Sequence, residues 1–247
     1  MKSTCISNIN NIYCKKEKNI DNLKITSIGF LISLILIGIT YSFSILLYNE
    51  NFDLGPILLH IIIYTILLLL IKNDTLLCKW IVMGYLFRCM LLLTIFCLSI
   101  AFSQDASLFT DDKAYYIIAR NNSENLLLSW QGIYGQYYFK ILEIVYRIFG
   151  EHTINGRLIN IFFSLLTIIV FYNFDKEINI HLKEKILKVL IFFPELSFFS
   201  LFEFKDYIFC FLLCLAVFLL FKSYKTSNIF LKLLLIIISF ALSLINC

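Results

Sequence analysis

Residues 25–48 read ITSIGFLISLILIGITYSFSILLY, an apolar run with no Asp, Glu, Lys or Arg, and its reading decides the fold. A helix rises ~1.5 Å per residue, so about 20 such residues cross the ~30 Å hydrocarbon layer of a bilayer. Comparable runs follow from Leu54 to Ile71, Trp80 to Phe102, Leu158 to Phe174, Ile186 to Phe202, Tyr207 to Phe221 and Ile229 to Ile245. The chain is 60% hydrophobic and only 15% charged, which excludes an ordinary soluble domain. No alternating ten-residue segments suggest an outer-membrane barrel, and backbone groups in lipid must be satisfied internally, so every span is expected to be helical. The fold expectation is an all-α, polytopic integral membrane protein of about seven transmembrane helices. The fifth and sixth spans are nearly continuous, and their separation rests on Glu203, Lys205 and Asp206.

Basic residues orient the chain. Lys2, Lys15, Lys16, Lys18 and Lys24 crowd the N-terminal tail, and Lys72, Lys79, Lys176, Lys183, Lys185, Lys188, Lys222 and Lys225 follow the even-numbered spans. These segments are expected to be cytoplasmic. The loop holding Glu50 and Asp53 has no Lys or Arg, and only Lys113, Arg120, Lys140, Arg147 and Arg157 are spread over 103–157. Those segments are expected outside. The division is then a cytoplasmic N-terminal tail, 1–24, and a membrane domain, 25–247, with an external loop at 103–157. The first run is full membrane length with no small-residue cleavage site behind it, so it reads as an anchor in the inner or plasma membrane. The net charge of +4 points to no nucleic acid, because the basic residues are dispersed through short loops at the membrane surface.

The eight cysteines show no CxxC and no His at metal spacing. Cys210 and Cys214 share a helix face and read as packing residues. The external loop is more informative. Thr110-Asp111-Asp112-Lys113-Ala114-Tyr115-Tyr116 sets adjacent carboxylates beside tyrosines in a chain of high apolarity. Thr110 can cap a helix whose first turn holds both aspartates at the positive end of the dipole and which runs to about Arg120. Adjacent helical residues point ~100° apart, so one aspartate can face a reacting centre while the other binds a cation or orients a neighbour. Plain capping accounts for the same residues. A second helix is expected from Gly135 to Phe149, amphipathic and interfacial, with Gln136, Lys140, Glu143 and Arg147 on one stripe and an i, i+4 pair between Glu143 and Arg147.

Three polar sites lie within or beside the spans. Arg88 is inside the third, where snorkelling competes with function. Glu195 follows Pro194 in the fifth, and a carboxylate at mid-bilayer costs ~2.5 kcal/mol or more, which makes it a functional candidate. Lys205 and Asp206 lie at the outer end, where Lys205 can pair with an anionic head group or with a nearby carboxylate.

The order of these motifs carries a resemblance. Asp111-Asp112-Lys113-Ala114-Tyr115-Tyr116, then Tyr146-Arg147-Ile148-Phe149-Gly150, then Gly156-Arg157-Leu158-Ile159-Asn160, then Phe193-Pro194 and Lys205-Asp206, resembles the N-terminal half of GT-C membrane glycosyltransferases, the polyprenyl-phosphate-sugar-dependent protein mannosyltransferase and arabinosyltransferase group. The resemblance covers roughly Arg88 to Lys222. It implies transfer of a sugar from a polyprenyl phosphate to a cell-surface glycan or lipid acceptor on the external face. Asp111 or Asp112 would be the base, with the other orienting the acceptor or holding a divalent cation; no organic cofactor is implied. Lys205 and Arg157 would neutralise the departing phosphate. Tyr115, Tyr116, Asp206, Glu195 and Arg88 complete the expected substrate site.

The family usually places its acidic loop after the first span, whereas two further spans precede it here. That arrangement also resembles O-antigen or capsular polysaccharide polymerases. The family continues with further helices where this chain ends at Cys247, so a truncated or divergent short member is expected. A transporter or flippase of lipid-linked sugars would need a polar pathway, for which only Arg88, His60 and Glu195 are available. A non-catalytic membrane partner is the remaining alternative.

Overall fold

The computed structural model describes residues 2–71, 74–102, 114–117, 132–178 and 183–245. These residues form α1 (Lys2–Tyr48), α2 (Gly55–Ile71), α3 (Thr75–Ala101), a single helical turn at 114–117, α4 (Gly132–Phe149), α5 (Thr153–Ile178), α6 (Lys183–Phe192), the short α7 (Pro194–Ser197), a 3-10 turn (Phe199–Leu201), α8 (Asp206–Lys225) and α9 (Ile229–Ile245). Four stretches are long and apolar enough to cross a membrane: Asn22–Tyr48, Thr75–Ala101, Thr153–Ile178 and Asp206–Lys225. The helices α2 and α9 are apolar but shorter.

The side chains are distributed inside out. On α1, Ser33, Thr40 and Ser44 are buried while Leu31, Ile35, Ile39 and Leu46 are exposed. Small polar side chains let helices approach and bond, and outward aliphatic residues suit apolar surroundings. The Ser33 and Thr40 hydroxyls donate to carbonyls of the preceding turn, as in Thr40 Oγ1 to Leu36 O at 2.7 Å.

The helical ends follow from caps that hydropathy does not see. No Gly or Pro interrupts residues 2–28, so the tail expected as a separate segment continues directly into the first span as one helix. Asp74 caps α3, its carboxylate accepting the Leu77 N–H at 3.1 Å. The helix therefore starts five residues before the expected Trp80. The expected fifth span, Ile186 to Phe202, is not a single helix. Pro194 has no N–H to give to the preceding turn, so α6 stops at Phe192 after 10 residues, too short to cross ~30 Å, and the chain goes on through α7 and the 3-10 turn.

The core is built on α3 and α5. The former packs against α1, α2, α5 and α6, and the latter against α2, α3, α4, α6 and α8. Ser44 near the end of α1 bonds Thr153 at the start of α5 at 2.9 Å, and Asp74 before α3 meets Tyr172 near the end of α5 at 2.7 Å. So α1 and α3 run one way and α5 the other. Asn160 holds the carbonyls of Phe202 and Phe204, while Lys225 reaches Glu177, so α8 runs parallel to α5. One end, here called the upper end, gathers residues 49–54, the 114–117 turn, the α4–α5 junction and residues 202–205. Lysines 176, 222 and 225 lie towards the other.

Candidate functional site

The upper end is assembled by polar residues at the start of α5. Asn160, about two turns into the helix, donates to Phe202 O at 2.5 Å and Phe204 O at 3.0 Å, and so pins the turn that precedes α8. Glu203 folds over the same helix and accepts the Tyr146 hydroxyl at 2.6 Å. Gly156 makes room for it, since a Cβ there would lie 2.6 Å from the Glu203 carboxylate. Tyr146 comes from α4, which buries Tyr138, Phe139, Leu142 and Val145 and exposes Lys140 and Arg147; Tyr137, Ile144 and Ile148, expected on its apolar side, are exposed as well. Glu143 bonds Lys140 at 3.0 Å, three residues away, rather than standing only beside Arg147.

Arg88 organises the break before α8. It is fully buried, and its guanidinium donates to Ser164 Oγ at 3.0 Å, Gly84 O at 3.1 Å, Ile191 O at 3.4 Å and Leu196 O at 3.0 Å. Two of these acceptors are carbonyls on either side of Pro194. A cation there complements the negative end of α6. The side chain does not snorkel.

Beside the break a cleft of about 750 Å³ opens between α5, the α6–α7 segment and α8. Phe171, Leu190, Phe193, Phe199 and Phe204 make its walls apolar, and the acidic residues Glu195 and Asp206 also line it. Tyr207 crosses the cleft, its hydroxyl donating to the Glu195 carbonyl. Lys205 stands half-buried at the N-terminus of α8, next to Asp206.

The expected site residues thus fall into separate groups. Glu195 and Asp206 share the cleft, with Lys205 adjoining Asp206 in the chain. Arg157 is buried in the bundle with its guanidinium 4.9 Å from the Phe96 ring centre and 5.7 Å from that of Phe202, an arrangement that lets aromatic faces offset part of its charge. Tyr115 and Tyr116 are buried rather than open to a ligand: Tyr115 packs edge-on to Tyr138 at 5.0 Å, and the Tyr116 hydroxyl donates to Glu50 at 3.2 Å. Asp111 and Asp112 lie outside the described residues, as do Thr110 and Arg120. Among the described residues no three His, Cys, Asp or Glu side chains converge as metal ligands. His60, considered for a polar pathway, lies buried against Tyr85 Oη at 2.6 Å and Ser33 Oγ at 3.4 Å.

A second cluster was not anticipated from the sequence. His152 sits between two carboxylates, Nδ1 3.1 Å from Glu50 Oε2 and Nε2 2.6 Å from Asp53 Oδ2. Glu50 also accepts from Ser44 at 2.9 Å and from the Thr153 N–H at 3.0 Å, so it caps α5 from the α1–α2 loop. Burial by itself works against the charge on both Glu50 and His152. For Glu50 the bonds from His152, Thr153 and Ser44 outweigh it, and its pKa falls below the usual carboxylate value. For His152 the two carboxylates outweigh it, and its pKa rises above the usual imidazole value. The signal available in the sequence was thin: two carboxylates in a short loop without a cation, and a lone histidine after Gly150.

No family model matches the chain, and no curated protein or solved structure is significantly similar to it.

Proposed function

We propose that this chain is a membrane glycosyltransferase that moves a sugar from a polyprenyl-phosphate donor to a cell-surface glycan or lipid acceptor, with the upper end outside and the N-terminus in the cytoplasm. The observation that carries the reading is the cleft beside Pro194. It joins apolar aromatic walls, which suit a hydrocarbon chain, to Glu195, Asp206 and the neighbouring Lys205, which suit a polar head group. A nucleotide-sugar has no use for such a wall, whereas a lipid-linked sugar needs both parts.

In this mechanism the polyprenyl chain lies along Phe171, Phe193 and Phe199. Carboxylates accept hydrogen bonds but repel phosphate, so Glu195 and Asp206 take the sugar hydroxyls and Lys205 takes the phosphate. Asp111 or Asp112 removes the proton from the acceptor hydroxyl. The acceptor oxygen bonds to the anomeric carbon as the bond from that carbon to the phosphate oxygen breaks, and the phosphate departs with its charge on Lys205. Arg157, anchored on Phe96 and Phe202, adds positive potential at the same end of the bundle. An aspartate with an ordinary pKa of ~4 is a weak base, so positioning contributes more than basicity. Ala114, two residues after Asp112, begins the turn whose Tyr116 is tied to Glu50 and whose Tyr115 is packed on α4. A divalent cation would be held by the aspartate that does not act as base, and no step above depends on it.

The test is genetic and biochemical together. In a strain lacking the native gene, Asp111→Asn and Asp112→Asn are compared with wild type for surface glycan at equal membrane levels. Loss of a general base lowers the rate by about 10²–10⁴-fold, so at least one variant abolishes the glycan. Full complementation by both would sink the assignment.

A further inference from the structure

The Glu50, His152 and Asp53 group takes no part in the transfer just described, and its geometry is asymmetric. Glu50 is enclosed: its side chain is 1% exposed and receives Ser44, the Thr153 N–H and hydroxyl, and Tyr116 as well as His152. The Asp53 side chain is 44% exposed and can exchange its partner for water. A third group waits at the same imidazole. The Tyr41 hydroxyl lies 3.3 Å from His152 Nε2 while accepting the Asp53 backbone N–H at 2.9 Å. We propose that these residues form a proton-operated latch: protonated His152 holds Asp53 through Nε2–H, and when that proton leaves for solvent the Tyr41 hydroxyl replaces Asp53, whose carboxylate swings out.

An imidazolium donates from both nitrogens, so it serves Glu50 and Asp53 together. A neutral ring has one N–H. Glu50 cannot leave without stranding the cap of α5, so the proton kept is the one on Nδ1. The Nε2 lone pair then faces the Asp53 oxygen at 2.6 Å, an acceptor against an acceptor, while Tyr41 turns its hydroxyl hydrogen to Nε2 from the Asn51 carbonyl, a long bond of 3.5 Å. The other titratable groups around His152 are consistent with this order. Tyr41 comes from α1, Glu50 and Asp53 from the α1–α2 loop, Glu151 adjoins it in the chain, Tyr116 reaches it only through Glu50, and α5 presents the neutral Thr153.

Release of Asp53 is felt beyond the loop. Its Oδ1 accepts the Gly55 N–H at 2.7 Å, so the same movement uncaps α2. Gly55 abuts the Phe149 carbonyl at the end of α4, and Gly150, at φ +85°, passes directly against Asp53. The latch therefore fastens the start of α2 to the α4–α5 junction at neutral pH, where the carboxylates are ionised and the imidazole protonated, and loosens that joint as the pH rises.

The inference needs no enzymatic activity to be tested. The full chain, labelled with ¹⁵N-histidine and held in lipid nanodiscs, contains three histidines, so the ring nitrogens are followed individually through a pH titration. His152 is assigned by its loss in His152→Gln or, where that variant does not accumulate, by its response to Asp53→Asn. The expected result is a titration above the usual imidazole range, ending in the less common neutral form with the proton on Nδ1. Asp53→Asn lowers the midpoint and Tyr41→Phe raises it, each by about one pH unit, a tenfold change in proton affinity. An ordinary midpoint, a neutral form protonated on Nε2, or insensitivity to both variants overturns the latch and leaves the glycosyltransferase reading untouched.

Discussion

Replacing Arg88 by Met tests the account of the helix break, because methionine keeps the length and apolar bulk but none of the donors. Three bonds reach other elements, to Ser164, Ile191 and Leu196. At the ~0.6 kcal/mol typical of interhelical hydrogen bonds in membrane proteins they contribute about 2 kcal/mol. Orphaned carbonyls at Ile191 and Leu196 cost a further ~1–3 kcal/mol each, offset in part because a buried cation no longer has to be desolvated. The net loss is about 2–4 kcal/mol, or roughly 30- to 1,000-fold in the unfolding equilibrium. Arg88→Lys keeps one point charge without the fork and falls between. The assay is equilibrium unfolding in mixed micelles, with accessibility of Cys210 as a second readout, since Cys210 lines the cleft that Leu190 and Leu196 help to form. Wild-type stability in Arg88→Met would refute the argument that this arginine carries the discontinuity at Pro194.

Other substitutions probe the upper end. Gly55→Ala drives a methyl into the Phe149 carbonyl, a backbone atom that cannot turn aside, and destabilises by about 1–3 kcal/mol in the same unfolding assay. Tyr146→Phe removes the 2.6 Å donor to Glu203 and costs about 1–3 kcal/mol, and Gly156→Ala, which displaces the same carboxylate, adds little on top of it because the two share one interaction. The pH dependence of thermal unfolding has two limbs. The contribution of His152, whose folded pKa is raised, is complete below the ordinary imidazole value of ~6.5 and is lost as pH rises through the folded value; that of Glu50, whose folded pKa is lowered, is present above ~4.3 and is lost as pH falls through the folded value. Glu50→Gln removes the acid limb and shrinks the alkaline one; a wild-type profile in that variant contradicts the assignment.

The helical class was legible in hydropathy because the apolar runs are long and carry few charges, and α9 coincides with the expected seventh run. The fifth was misread for a physical reason. A hydropathy window registers that Ile186 to Phe202 is apolar but not that its ladder is cut at Pro194, and the partner that makes the cut tolerable is Arg88, more than a hundred residues earlier. Arg88 itself was visible as an anomaly, but its role depends on carbonyls that become free only in the folded chain. The joining of Glu50 to His152 across 102 residues left no local trace. Tyr115 and Tyr116 were noticed as aromatic residues beside aspartates, yet a tyrosine at a helical turn reads alike whether it faces a ligand or, as here, Tyr138 and Glu50. Glu195 and Asp206 were singled out separately, and only the return of the chain through α7 brings them to one cleft.

The cleft is the centre of the functional account, and its contents can be weighed. The full chain is extracted with its own membrane lipids and analysed by native mass spectrometry, beside a Leu196→Trp variant that fills the cleft and leaves the expected base untouched. Wild type is expected to carry a polyprenyl phosphate, with or without its sugar, and the variant markedly less. Retention of bulk phospholipid alone by wild type, or equal polyprenyl phosphate in both, would contradict the functional account.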